Sequence, residues 1–312
     1  MLRSFAIAAA LLVSSFFGPT ARSDSGTDQS AHARAALSFL DGTESHYYQE
    51  EWKWFSDFRS PGFYSPDDPN FGAQELELYN KAIAAAPNDS QGYLCRGRAL
   101  LRRHDLVSAI GDFSKVIALA TIEDTVGYEW RAEALIAKGD FAHAAADYDH
   151  VKAVTGDDWL GFAGSGMTLI QLGRYDHAIE DLTRAVELAS ALPDRPHSRD
   201  ACPSSSPMLA QAALDEPRDS VLGNLLAHRA SARFYEGEYD QALIDIDRSM
   251  ELIGYSPVGN TYRGLARLAL GKCSMGFNDL KLAASFARVP FEQLMKSARP
   301  FVASTSCAGV EP

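Results

Sequence analysis

Long apolar runs are scarce in this chain. The longest extends from Phe5 to Phe17, thirteen residues, short of the roughly 20 needed for a comfortable membrane span. Basic residues are in deficit, with 29 Lys and Arg against 41 Asp and Glu and a formal charge of −12. They form no cluster of the kind that neutralises phosphates, so nucleic acid is excluded as a sequence-independent partner. Cysteine is limited to four residues, and no two have metal-site spacing. No stretch reads as a β-strand domain. Phosphate loops and zinc-protease helices are missing, and Gly164-Ser165-Gly166 lacks the spacing of a nucleophile elbow. His143, Asp147 and His150 share one helix, but the histidines stand at no specific ligand spacing. These absences leave no cofactor, no metal and no catalytic residue to assign, and the acidity is read as ordinary solubility.

What is present begins with an address. Arg3, the apolar run and the small-residue stretch Ala21-Arg22-Ser23 after Gly18-Pro19 have the three parts of a secretory signal peptide over residues 1–23. No cysteine lies near the expected cut, so a lipoprotein anchor has no acceptor. The mature protein is expected to carry no transmembrane anchor and to be periplasmic or secreted.

The body of the chain repeats itself. Helix-hairpin patterns about 34 residues long begin near Ser90, Thr125, Trp159, Gly223 and Pro257. The eighth position of each holds a small residue: Gly97, Ala132, Gly166, Ala230 and Gly264. The fifteenth, at the turn, holds His104, Gly139, Gly173, Gly237 and Gly271, residues suited to a helix end with positive φ. The twentieth is small again, from Ala109 to Gly276. The twenty-fourth is a large apolar knob: Phe113, Tyr148, Leu182, Ile246 and Leu280. With these residues, and above all in "LGRYDHAIEDLTRAVEL" and "EGEYDQALIDIDRSMEL", the chain resembles the tetratricopeptide repeat family. The resemblance spans roughly residues 73–288. It implies an all-α, right-handed superhelical solenoid of helix hairpins.

A second recurrence is charged. Position seven, usually apolar in that family, carries Arg96, Arg131, Arg229 and Arg263, with Ser165 in the third repeat. Position twenty-three carries Asp112, Asp147, Asp181, Asp245 and Asp279. The coincidence predicts bidentate structural ion pairs between Arg96, Arg131, Arg229 and Arg263 and the aspartates Asp112, Asp147, Asp245 and Asp279, each arginine meeting an aspartate of its own or an adjacent hairpin.

The remaining segments complete the organisation. Residues 24–72 form an aromatic-rich N-terminal extension in which Tyr48, Trp52, Phe55 and Phe58 recur at helical spacing, read as a cap over the first repeat, the alternative being a surface that contacts a partner or a sugar. Residues 73–192 hold a degenerate half-repeat and three repeats, with Glu75 at a usually small site. Residues 193–222 are a Pro- and Ser-rich insertion, with one short helix expected near Met208–Leu214. Two repeats follow over 223–290, then a closing helix and tail over 291–312. In an oxidising compartment four cysteines allow three full connectivities. Cys273–Cys307 is the expected bridge, pinning the tail across the last repeat, with Cys202–Cys307 the runner-up. Cys95 is read as a small buried thiol.

The family geometry implies that the first helix of each hairpin lines a concave groove. In this chain that groove comprises Leu94, Arg98, Leu101 and Arg102, then Glu129, Glu133 and Ile136, then Met167 and Ile170, and finally Phe234 and Tyr235. A cationic start, an acidic second unit and an apolar remainder suit a protein or peptide partner. The family's lysine and asparagine clamp for a terminal carboxylate is replaced by Leu94 and Arg98, so that activity is not carried over. The expectation is a non-catalytic binding scaffold. The alternative is a homo-oligomeric structural subunit of a cell-envelope complex.

Overall fold

The computed structural model describes residues 71–120, 124–192, 218–254 and 257–312. The expected signal peptide, the aromatic stretch up to residue 70, the segment 208–214 where a short helix is expected, and Cys202 lie outside the described residues. All regular structure among the described residues is α-helical, as the repeat pattern requires.

These residues fall into two compact units, the first drawn from 71–236 with 241–254 and the second from 237–240 with 257–312. The first unit contains α1 (Phe71–Ala85), α2 (Ser90–Arg102), α3 (Leu106–Leu119), α4 (Val126–Lys138), α5 (Phe141–Thr155), α6 (Trp159–Gln171), α7 (Tyr175–Ser190), α8 (Arg218–Glu236) and most of α9 (Tyr239–Ile253). From α1 to α8 each helix packs on the next, so the hairpins stack in chain order. The second unit contains α10 (Pro257–Ala269), α11 (Cys273–Phe286) and α12 (Phe291–Ala303), with α12 closing over the other two.

Helix boundaries follow from capping chemistry. Asp89, Asp105 and Asp158 precede α2, α3 and α6, and their carboxylates accept from Gln91 N, Ser108 N and Leu160 N, satisfying amides that the helix leaves unpaired. The hairpin turns share one geometry. Gly139 N donates to Ile136 O and Asp140 N to Leu135 O, each at 2.8 Å, and His104, Gly173 and Gly271 head the same paired bonds in their own turns. That arrangement places the fifteenth residue in the left-handed region, and His104 adopts it with φ 59° although it carries a side chain.

The size alternation read from the sequence is the packing code of the hairpins. A Cβ added at Gly97 would lie 2.6 Å from the Phe113 ring, and one at Gly264 would lie 2.9 Å from the Gly276 carbonyl oxygen. The small residue of the first helix is therefore the socket for the large residue of the second. The knobs Phe113, Tyr148, Leu182, Ile246 and Leu280 are all buried.

The charged recurrence pairs within single hairpins. Arg96 grips Asp112 through Nε–Oδ2 at 2.8 Å and Nη2–Oδ1 at 2.7 Å, and Arg131 with Asp147 and Arg229 with Asp245 repeat both distances. Arg263 places Nε and Nη2 on one oxygen of Asp279, at 3.2 and 2.9 Å. Asp245 and Asp279 each take a second arginine, Arg233 at 2.8 Å and Arg267 at 2.6 Å. Hydrogen bonding to the aspartates raises the Arg96 and Arg131 guanidinium pKa values above the usual arginine range, against the opposing effect of burial. In the third hairpin, where Ser165 replaces arginine, Lys152 reaches over from α5 and donates to both Ser165 Oγ at 2.8 Å and Asp181 Oδ2 at 2.7 Å.

Two expectations need correction. The first helix of the fourth repeat begins at Arg218, so residues 218–222 belong to α8 and not to the insertion. Val221 is fully buried in the core that holds Leu182 and Leu225, and that burial extends the helix by a turn beyond its repeat-matched start. Cys95 is buried but is not a free thiol: it is disulfide-bonded. Cys307 is bonded to Cys273 and not to Cys202, which joins the start of α11 to the tail beyond α12. No described helix is long and apolar enough to cross a membrane.

Candidate functional site

The candidate site is built on the first helices of the first unit, α2, α4, α6 and α8. Its N-terminal end is polar. Arg102 Nη2 donates to Glu75 Oε1 at 2.7 Å, and the Tyr79 hydroxyl donates to the same oxygen at 3.0 Å. Burial, reinforced by the Glu75 charge, holds the Tyr79 phenol well above its ordinary pKa, so it stays a donor. Glu75 thus has a partner role that its misfit in the repeat pattern only hinted at.

The next step along the groove pairs a cation with a ring. The Arg98 guanidinium lies 4.6 Å from the centre of the Trp130 ring, a cation–π contact, and Trp130 in turn stacks with Phe113 at 6.2 Å. Glu129 accepts from Thr125 Oγ1 at 2.7 Å. Glu133 stands one turn further along α4, on the same face. Trp130 sits one position outside the groove pattern and was not anticipated. An aromatic beside groove arginines and glutamates was the available signal.

Beyond α4 the site is apolar and aromatic. Met167 and Ile170 of α6 share a core with Ile136, Trp159, Tyr175 and Leu225, against which Tyr235 packs. Tyr175 stacks on Tyr235 at 4.9 Å, and Phe234 meets Tyr235 edge-on at 5.8 Å. The expected groove residues differ in how far they are covered. Leu94, Arg98, Glu129, Glu133, Ile136, Met167, Ile170 and Phe234 are all buried, whereas Leu101, Arg102 and Tyr235 remain partly exposed.

On the histidine-bearing helix α5 the polar side chains are engaged within the protein. Asp147 is taken by Arg131, His150 lies against the Tyr128 ring at 4.0 Å, and His143 pairs with Asp140 at 2.7 Å. Among the described residues no group of His, Cys, Asp and Glu is arranged to hold an ion.

Comparison with known proteins returns the same architecture. Residues 163–192 match the family model of the tetratricopeptide repeat. No curated protein sequence matches the chain. Among solved structures, YrrB, described as a TPR protein with an unusual peptide-binding site, is similar with a TM-score of 0.53 at 15% identity, covering 72% of this chain and 99% of that one. A tetratricopeptide repeat protein from Parabacteroides merdae has a TM-score of 0.46 at 15% identity, with 86% and 99% covered. A thermophilic TPR protein of Thermus thermophilus has a TM-score of 0.45 at 14% identity, with 69% and 100% covered.

Proposed function

Taking as premise that this chain is a tetratricopeptide-repeat protein, we propose that it is a non-catalytic scaffold that binds a protein or peptide along the face built by α2, α4, α6 and α8. The observation that carries this reading is the sequence of chemistries along that face: Arg98 and Arg102, then Glu129 and Glu133, then Met167, Ile170, Phe234 and Tyr235. A helical or extended segment with an acidic group, a basic group and apolar anchors in that order is complementary to it. The peptide-binding site described for YrrB supports the choice of this kind of ligand.

We further place the protein in the periplasm or outside the cell. The signal-like residues 1–23 support this, as does the oxidised state of Cys95, Cys273 and Cys307. Crosslinking in the native compartment followed by mass spectrometry tests the scaffold reading. A partner captured by the native chain is expected to be lost on charge reversal at Arg98, Glu129 and Glu133 in a variant that keeps its helical circular dichroism. Retention of the same partner would refute the groove.

The alternative, a self-associating envelope subunit, draws on a different feature. Met275, Leu282 and Phe286 are exposed along one side of α11 in the second unit, a stripe at helical spacing. Light scattering that finds a concentration-independent monomer would dispose of this alternative.

A further inference from the structure

The outer side of α11 departs from its counterparts in the other hairpins. Its exposed positions, from Ser274 to Phe286, fall within an arc of about 140° at 3.6 residues per turn, and Met275, Leu282 and Phe286 on that arc are 51%, 39% and 49% exposed. In the third and fourth hairpins the twenty-sixth and twenty-ninth positions are Arg184 with Glu187 and Arg248 with Glu251, exposed ion pairs at 3.0 and 2.7 Å. In α11 they are Leu282 and Ser285. The nineteenth position is His177 and Gln241 in those two hairpins and Met275 here. Charge is inverted as well. The chain carries −12 overall, yet among residues 257–312 the exposed cations Lys272, Lys281, Arg288, Lys296 and Arg299 outnumber the exposed anions Glu292 and Glu311. Asp279, the acid within α11, is buried and held by Arg263 and Arg267. Lys281 Nζ lies 5.6 Å from the centre of the Phe291 ring, and Lys272 and Arg288 bracket the helix at its two ends.

We propose that this outer side of α11 docks on the surface of an anionic lipid bilayer, with Met275, Leu282 and Phe286 entering the headgroup boundary and Lys272, Lys281 and Arg288 meeting the headgroup phosphates. The proposal is independent of the groove. Apolar side chains flanked by cations, with no exposed carboxylate on the helix that carries them, complement an interface that is negative at its surface and apolar beneath. Area and charge decide against a second copy as the occupant. Thirteen helical residues present a strip about 20 Å long and about 10 Å wide. That is about 200 Å², well below the roughly 800 Å² per partner of a stable protein interface. An isologous contact would also set this cationic face against itself. A bilayer accepts the strip without a matching contour, and each cation adds to the attraction.

Vesicle flotation of residues 24–312, which leaves out the apolar run near the N-terminus, tests this. Partition onto vesicles of phosphatidylglycerol and phosphatidylcholine in equal parts is expected to exceed partition onto phosphatidylcholine alone by about tenfold or more. It should fall about fivefold or more as salt rises from about 50 to about 500 mM. The variants M275S/L282S/F286S and K272E/K281E, with native circular dichroism, should each bind the anionic vesicles about tenfold more weakly or less. Equal binding to both kinds of vesicle, or anionic binding that either folded variant leaves unchanged, would overturn the proposal. Concentration-dependent light scattering that M275S/L282S/F286S abolishes would identify a second copy as the occupant and overturn it as well. Should the triple variant not fold, p-benzoylphenylalanine in place of Phe286 decides: crosslinks to lipid support the proposal, and their absence refutes it. Failure here leaves the groove standing, since partner capture there is read on Arg98, Glu129 and Glu133.

Discussion

Replacing Asp245 with alanine isolates the most heavily loaded of the ion pairs. Its carboxylate is buried on α9 and holds two guanidiniums, Arg229 by two bonds of 2.8 and 2.7 Å and Arg233 by one of 2.8 Å. The side chains are 3%, 13% and 17% exposed. Solvent can screen them only weakly, and the alanine variant would leave two cations facing each other beside the core. Breaking a buried pair of this kind costs about 3–5 kcal/mol, whereas an exposed pair is worth only about 0.2–1 kcal/mol. The burial decides for the upper range. The assay is urea denaturation followed by circular dichroism, with the midpoint compared at low and high salt. The expected loss is about 3 kcal/mol or more, little reduced by salt because the pair is shielded. An R229M/R233M/D245L triple variant should recover much of the loss, since apolar side chains in place of all three charges carry no desolvation penalty. A loss below about 1 kcal/mol would refute the reasoning by showing that the pair behaves as an exposed one.

Further outcomes follow from the same geometry. Lys152→Met should destabilise the third hairpin, because it strips Asp181 of its cation, and adding Ser165→Arg should restore stability by rebuilding the pairing of the other repeats; equal urea midpoints for native and single variant would show that Lys152 carries no weight. Gly264→Ala should cost about 1–3 kcal/mol, since its methyl would meet the Gly276 backbone oxygen 2.9 Å away, which cannot yield as a side chain could; thermal denaturation checks this. Cys273→Ser should remove a bridge closing a 34-residue loop, about 3.8 kcal/mol on the chain-entropy relation, and reducing the native protein should lower its melting temperature similarly. His104→Gly should be neutral to about 1 kcal/mol stabilising, because release of a left-handed backbone at φ 59° is partly offset by the freer unfolded glycine. A clear loss of stability there would point to a role for the imidazole.

Much of the hairpin was legible because repetition turns weak local signals into strong ones. A single glycine at a turn means little, but the same position four times, with His104 forced into the same conformation, identifies the helix end. The Arg–Asp recurrence could be read in the same way. Where the repeat broke, the reading weakened: α8 starts five residues early because Val221 is buried by contacts distant in sequence, and Lys152 replaces a missing arginine from a neighbouring helix. Trp130 was missed as a groove residue because its role depends on Arg98, a full repeat away.

By itself, the order of amino acids determined the helices, their turns, the small-to-large packing within each hairpin and the recurrence of arginine and aspartate, while the structure decided that they pair sixteen residues apart. All of these depend on contacts inside one repeat, whose periodicity is written along the chain. Only the tertiary structure decided that the groove side chains are covered, that Cys95 is oxidised and that Glu75 anchors both Tyr79 and Arg102. Burial and pairing between residues far apart in sequence depend on which surfaces meet in space, and a linear pattern carries no record of that meeting.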